Sequence, residues 1–245
     1  MMAFTIAWRE LRNLFLSPLA WVLLAVIEFI EAWLFAVAVE TFRGDPSGVA
    51  GVTDQVGAGL FSLASIIMLM VVPLLSMRLV SEERRSGSLT LLLSAPVRIS
   101  EIVLGKYLGL TAFLGLMVAV LATMPLSLAA GTQLDYGKLA SGALGLMLLL
   151  GAFAAAGLYM STLTRQPVVA AVSGFGLLLF LWFIDWIGHG SPRFSALLHY
   201  FSLTDHYTSM LRGSFDSADV AFYLIFIGTF LALSIRRLES ARLQG

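Results

Sequence analysis

Hydrophobic and polar residues are distributed along this chain in long blocks, without the short period of an amphipathic soluble domain. A helix needs about 20 mostly apolar residues to cross a hydrocarbon core ~30 Å thick. Apolar runs of about this length lie near residues 19–39, 59–79, 107–130, 139–160, 168–188 and, in a shorter form, 219–235. The pattern predicts an all-α polytopic membrane protein with six transmembrane helices, forming a single transmembrane domain over residues 1–245.

The segment before the first apolar run has a different pattern, with a period close to that of an α-helix. The apolar side chains that share one face of residues 2–16 are Phe4, Ala7, Trp8, Leu11 and Phe15. The polar residues that fall elsewhere on this helix are Arg9, Glu10, Arg12 and Asn13. Such a distribution is typical of a helix that lies in the membrane interface. Residues 1–18 are therefore predicted to form an interfacial helix, separated from the first span by Pro18.

The basic residues predict how the chain is oriented in the membrane, because Lys and Arg concentrate in cytoplasmic loops. If the N-terminus is cytoplasmic, eleven basic residues lie on the inner side: Arg9, Arg12, Arg78, Arg84, Arg85, Arg98, Lys106, Arg165, Arg236, Arg237 and Arg242. The four on the outer side are then Arg43, Lys138, Arg193 and Arg212. We expect a multi-pass membrane protein with both termini cytoplasmic. The formal net charge of zero gives no reason to expect a nucleic-acid partner.

Composition and motifs exclude most catalytic classes for this chain. Only 12% of the residues are charged, about half the fraction of a soluble domain. There are no cysteines, and the phosphate-binding pattern GxxxxGK[ST], HExxH and GxSxG are all absent. The three histidines are too scattered for a metal site. We therefore expect no catalytic residue, metal or cofactor in this chain, and no ATPase activity of its own.

One polar segment, residues 80–106, carries most of the functional information. Ser81 is predicted to cap a helix whose first turn holds Glu82 and Glu83, and Pro96 is predicted to end it. The leucines that share its apolar face are Leu89, Leu92 and Leu93. From the residues alone, this is either a short amphipathic helix on the membrane or a lever that docks into a cytoplasmic motor.

The segment EERRSGSLTLLLSAPVRISEIVLGK closely resembles the signature of type-2 ABC transporter permeases, the ABC-2 family. The positions that match the signature are Glu82, Glu83, Arg84, Gly87, Leu89, Leu92, Pro96, Gly105 and Lys106. Thr90 stands where the family usually has an acidic residue. The stretches WRELRNLFLSPLAWVLLAVIEFIEAWLF and SLTDHYTSMLRGSFDSADVAFYL resemble the gliding-motility branch of these permeases.

The resemblance implies a permease that pairs with a second permease chain, the same or a different one. A different partner chain would have a large outer domain. Two separate cytoplasmic ABC ATPase subunits, which bind ATP and Mg, would drive the pair. The residues implied to contact the ATPase are Glu82, Glu83, Arg84, Gly87, Leu89, Leu92, Leu93 and Pro96. The interfacial helix would help to transmit the ATPase motion, and residues 189–218 would form short re-entrant helices on the outer side.

Two pairs of polar residues in apolar surroundings are further candidates. Glu28 and Glu31 lie three apart in the first span, where a carboxylate costs several kcal/mol. They either line a polar pathway or the permease–permease interface, or they are protonated or hydrogen-bonded to a neighbouring helix. Asp205 and His206 lie in the outer segment. There Asp205 either caps a helix beside a polar neighbour, or the pair has a proton- or metal-linked role.

The function that these features favour is a permease subunit that couples ATP hydrolysis to export or to movement of an outer partner. The alternative is a stand-alone secondary transporter or channel, for which inverted repeats would be expected. The sequence indicates neither the substrate nor the direction of transport.

Overall fold

The computed structural model describes residues 2–44, 51–89, 97–188 and 202–243, with side chains for all of these except 184–188 and 243. Within these ranges every regular element is helical, which confirms the predicted all-α class. In chain order the α-helices are α1 Met2–Leu16, α2 Pro18–Gly44, α3 Gly59–Ser76, α4 Arg78–Ser86, α5 Ile99–Ser127, α6 Tyr136–Leu163, α7 Pro167–Gly188, α8 Leu203–Leu211 and α9 Ser217–Leu243. A π-helical turn precedes α3, and a 3₁₀ turn follows α5.

Five helical segments of the described chain are long and apolar enough to cross a membrane. They are Pro18–Gly44, Thr53–Ser86, Ile99–Ala130, Tyr136–Leu163 and Ser217–Arg242. Each contains one predicted apolar run, so five of the six spans are confirmed by length and composition. The predicted span at 168–188 coincides with α7, of which the part with described side chains, Pro167–Phe183, is a shorter apolar helix. The sixth span stays a prediction.

The centre of the bundle is α6, most of whose side chains are buried. Its glycines allow other helices to approach the α6 backbone closely. A Cβ atom added at Gly145 would lie 2.9 Å from Cβ of Met210, and one at Gly157 would lie 2.9 Å from Cβ of Ser76. Because α6 contacts α3 and α8 in this way, it links the two ends of the bundle.

Helix α1 has the predicted bounds, but it buries a different face. Of the predicted apolar face only Ala7 is buried, whereas Phe4 and Trp8 are exposed. The residues buried in α1 are Ile6, Ala7 and Glu10. The expectation that Glu10 lies on the polar side is therefore wrong.

The buried face of α1 is determined by α5, about 100 positions further along the chain. Gly105 and Gly109 leave a shallow channel on α5 into which α1 fits. A Cβ atom at Gly105 would lie 2.6 Å from Cβ of Ile6, and one at Gly109 would lie 2.7 Å from Cβ of Glu10. Contact with another helix, and not contact with lipid alone, decides which side of α1 is buried.

The prediction that a helix begins at Ser81 is also wrong. Ser81 lies inside α4, which follows α3 after a break at Met77. The hydroxyl of Ser161 on α6 satisfies the backbone at this break. Its Oγ accepts hydrogen bonds from the N–H groups of Val80 and Ser81, at 3.1 and 3.0 Å, and donates to the carbonyl of Met77 at 2.8 Å.

Helix α4 ends at Gly87, whose φ of +76° is in the left-handed region that favours glycine. Residues 88–89 are helical again. The predicted coupling residues Leu92, Leu93 and Pro96 lie outside the described residues.

The end of the bundle predicted to be outside contains the short helix α8, within the predicted outer segment. Ser202 is its N-cap and accepts a hydrogen bond from the N–H of Asp205 at 3.1 Å. Asp205 lies in the first turn, so the interpretation of Asp205 as the cap is wrong. The other predicted outer helix falls in residues 189–201, which lie outside the described part of the chain.

Candidate functional site

A buried cluster of charged side chains joins α1, α4 and α5. Lys106 of α5 donates one hydrogen bond to Oε1 of Glu10 at 2.6 Å and another to Oε1 of Glu83 at 2.7 Å. Its side chain is only 1% exposed. Arg9 lies at the rim, with Nη2 3.8 Å from both carboxylates. We call these four residues the Lys106 cluster.

Each member is positioned by a backbone feature. The close approach of α1 at Gly105 and Gly109 brings Glu10 over Lys106. The Ser161 hydroxyl holds the start of α4, and Glu83 follows about one turn later. The cluster is thus the point where α1 meets α4 and α5, the two helices of the 80–106 segment.

The charges within the Lys106 cluster balance, two positive and two negative. Desolvating charges is expensive, so a buried ion pair adds little net stability, but losing one partner leaves a buried charge uncompensated. The second carboxylate oxygen of Glu83 is buried without a hydrogen-bond partner in the described structure. The cluster therefore fixes the relative positions of three helices more than it adds to the free energy of unfolding.

Glu28 and Glu31 of α2 point into the bundle. Glu31 is 0% exposed, and all four carboxyl oxygens of the pair are buried without a hydrogen-bond partner among the described residues. Glu31 lies near enough to Tyr207 of α8 to interact with it electrostatically. The opposite side of α2 exposes Phe29 and Trp33. The pair thus lies on the buried side of α2, and its role, whether in a pathway, at the permease interface or as an internal contact, stays a prediction.

The family model for ABC-2 family transporter proteins matches residues 4–242. This chain belongs to the ABC-2 transporter family. It is similar to the probable ABC transporter permease protein NosY of Pseudomonas aeruginosa, with 30% identity over 240 residues, covering 87% of this chain and 82% of that protein. The predicted family is thus confirmed, and the resemblance to the gliding-motility branch stays a prediction.

The predicted ATPase-contact residues of this ABC-2 permease point in different directions. Glu83 faces the Lys106 cluster, whereas Nη1 of Arg84 donates to the carbonyl of Thr162 on α6 at 2.8 Å. Glu82 is 58% exposed and lies 3.9 Å from Arg78. Leu89 is buried in the apolar core. Of these four residues, Glu82 has the most exposed side chain.

His206 lies in a contact between α8 and α9 of the permease. Its Nδ1 is 2.6 Å from Oδ1 of Asp219, and its ring stacks on Phe222 with a centroid distance of 4.1 Å. Asp219 was not among the predicted site residues. The contact indicates that His206 helps to join two helices, and its proton- or metal-linked role stays a prediction.

The sequence interpretation missed the central residues of the cluster, Lys106 and Glu10. Lys106 is counted among the basic residues and matched to the Gly-Lys pair of the signature, but it is not predicted as a site residue. For Glu10 there was a signal. It lies on a second stripe of α1 at helical spacing, formed by Ala3, Ile6, Ala7, Glu10 and Leu14. A single acidic residue within an apolar stripe indicates a buried basic partner.

The Lys106→Met variant is expected to lose about 3–5 kcal/mol of stability, because it leaves Glu10 and Glu83 buried without their cation. Thermal unfolding of the detergent-solubilised protein measures the loss. Lys138→Met is the matched control, because Lys138 makes a comparable contact with Asp54, at 2.9 Å, at the exposed opposite end.

Replacing the two carboxylates as well should restore much of the lost stability. The triple variant Glu10→Gln/Glu83→Gln/Lys106→Met has no buried charge left at this position. If Lys106→Met unfolds at the same temperature as Lys138→Met, the Lys106 cluster does not hold the three helices together.

Proposed function

We propose that this chain is the membrane-spanning subunit of an ATP-driven transporter, coupling ATP hydrolysis by two separate ATPase subunits to export or to movement of an outer partner. The observation that carries the proposal is the Lys106 cluster. It ties the two helices that flank the 80–106 segment to each other and to α1. Membership of the ABC-2 family and the similarity to an ABC transporter permease support it.

In this mechanism the segment between α4 and α5 receives a push from an ATPase subunit. A load on a loop between two independent helices would bend one of them. Here Lys106 binds Glu83 of α4 and Glu10 of α1, so the load passes to three helices at once. Gly87, with its left-handed backbone, ends α4 ahead of the segment that is predicted to contact the ATPase.

The motion then passes along α6 towards the opposite end of the permease. At the inner end Ser161 of α6 holds the start of α4. At the other end Ser141 of α6 donates a hydrogen bond to the carbonyl of Met210 on α8 at 2.8 Å. The hydroxyl of Tyr207 on the same helix donates to the carbonyl of Phe61 on α3 at 2.7 Å. Because α6 makes such contacts at both of its ends, it can transmit a displacement across the membrane.

The proposal includes the partners and the location expected from the sequence. A second permease chain, the same or different, completes the pathway, and ATP and Mg are bound by the ATPase subunits. The protein lies in the bacterial inner membrane with α1 and the C-terminus of α9 at the cytoplasmic side, where the basic residues concentrate.

The proposal is tested by a pull-down of the tagged chain in mild detergent, with ATPase activity assayed in the eluate. The variant replaces residues 90–95 by alternating Gly and Ser. We expect the wild type to retain an ATPase chain and the variant to lose it, because the replaced residues include Leu92 and Leu93, which are predicted to contact the ATPase. The matched control replaces the six residues 45–50, which belong to the predicted outer loop, in the same way.

Loss of the ATPase chain in the 90–95 variant alone, with both variants inserted in the membrane, agrees with the proposal. A wild-type eluate that contains the chain alone, without ATPase activity, contradicts it. That result would favour a stand-alone transporter or channel.

Replacing the buried carboxyls by amides tests the internal pathway. We expect Glu28→Gln/Glu31→Gln to abolish transport while the complex still assembles, because Gln keeps the shape of Glu but cannot gain or lose a proton. Its stability should stay within about 1 kcal/mol of the wild type, since neither carboxyl has a hydrogen bond to lose among the described residues. Glu40→Gln, at an exposed position of the same helix, is the control.

Size-exclusion chromatography measures assembly of the Glu28→Gln/Glu31→Gln complex, and ATP-driven transport in vesicles measures function. Normal transport by an intact complex would show that neither carboxyl takes part.

A further inference from the structure

A second group of charges lies on the side of α4 that faces away from the Lys106 cluster. Arg84 and Arg85 of α4 and Arg165, in the turn between α6 and α7, line one groove with Gln166, Pro167 and Val168. Arg237 of α9 and Arg165 are both close enough to Arg84 to interact with it electrostatically. We call Arg84, Arg85, Arg165 and Arg237 the arginine cluster.

The arginine cluster has no internal counter-charge. None of its four guanidinium groups forms a salt bridge with an acidic residue in the described chain. Arg84 is held by the carbonyl of Thr162, which satisfies a donor but does not neutralise the charge. Glu82, in the adjoining groove, already lies beside Arg78. Like charges at short range repel each other, so an anion from outside the chain would stabilise the arrangement.

The position of the cluster indicates what kind of anion this is. Helix α7 begins at Pro167, two residues after Arg165, and its first turns expose Val168, Val169 and Val172. Val168 is 70% exposed. The guanidinium groups therefore lie where an exposed apolar surface begins. A ligand with an anionic head and an acyl chain matches both parts, whereas an acidic protein surface would leave the valines without a partner.

We propose that the arginine cluster binds the phosphate of an anionic phospholipid headgroup in the leaflet on the α1 side, with the acyl chain along the start of α7. Arg suits this role because its planar guanidinium donates bidentate hydrogen bonds to phosphate. Basic pockets between membrane helices on the cytoplasmic side bind such headgroups in other proteins. The inference does not depend on coupling to an ATPase.

Native mass spectrometry of the purified full-length protein in detergent tests the proposal, with phosphatidylglycerol and phosphatidylcholine of identical acyl chains as probes. The wild type is expected to bind phosphatidylglycerol at least about tenfold more tightly. The Arg165→Gln/Arg237→Gln variant should lose most of this preference. It keeps Arg84 and therefore the hydrogen bond to Thr162.

The matched control is Arg12→Gln/Arg242→Gln, which removes two exposed basic residues at the same end of the bundle but outside the cluster. It should keep the preference for phosphatidylglycerol. A single variant, Arg85→Gln, changes an exposed side chain with no hydrogen bond in the described structure. It should weaken phosphatidylglycerol binding severalfold, and it serves if the double variant does not fold.

Three results would overturn the proposal. One is equal binding of the two lipids by the wild type. Another is phosphatidylglycerol binding by the cluster variants that is no weaker than binding by the Arg12/Arg242 control. The third is loss of a co-purifying protein from the Arg165/Arg237 variant while lipid binding stays the same, which would identify the cluster as a protein-docking surface.

Discussion

Burial of one lysine is the constraint on which the end of this permease that contains α1 and α4 depends. Lys106 is almost completely shielded from solvent, and a buried ammonium group requires negative partners within hydrogen-bond distance. It obtains them from two other helices, Glu10 of α1 and Glu83 of α4. The positions of these helices are therefore not independent. If one moves away, a charge is left buried without compensation.

Small side chains make this arrangement possible. Gly105 and Gly109 allow the backbone of α1 to approach α5, and Ser161 satisfies the N–H groups exposed by the break at Met77. Without the first contact Glu10 would face solvent, and without the second α4 would have unsatisfied backbone donors inside the protein. Two consecutive residues of α4 then contact different parts of the protein. Glu83 binds Lys106, whereas Arg84 faces α6 and the arginine cluster.

The features that the sequence predicted well are those set by a single dominant constraint. The thickness of the bilayer requires long apolar runs, and these located five spans and the all-α class. The bounds of α1 followed from its period and Pro18. Its buried face could not be predicted in the same way, because that face is selected by two glycines about 100 positions away. The start of α4 was misplaced for a similar reason, since Ser161 on another helix stabilises the break near Ser81.

The central claim is that α1 and α4 move as one unit, and electron-paramagnetic distance measurement tests it most directly. The chain contains no cysteine, so spin labels can be placed cleanly on the exposed positions Arg12 of α1 and Ser86 of α4. In the complex with its ATPase subunits, the account predicts the same distance distribution without nucleotide and with ATP, and a broader distribution in Lys106→Met. Separation of the two labels on ATP binding, in wild-type protein with full ATP turnover, would contradict it.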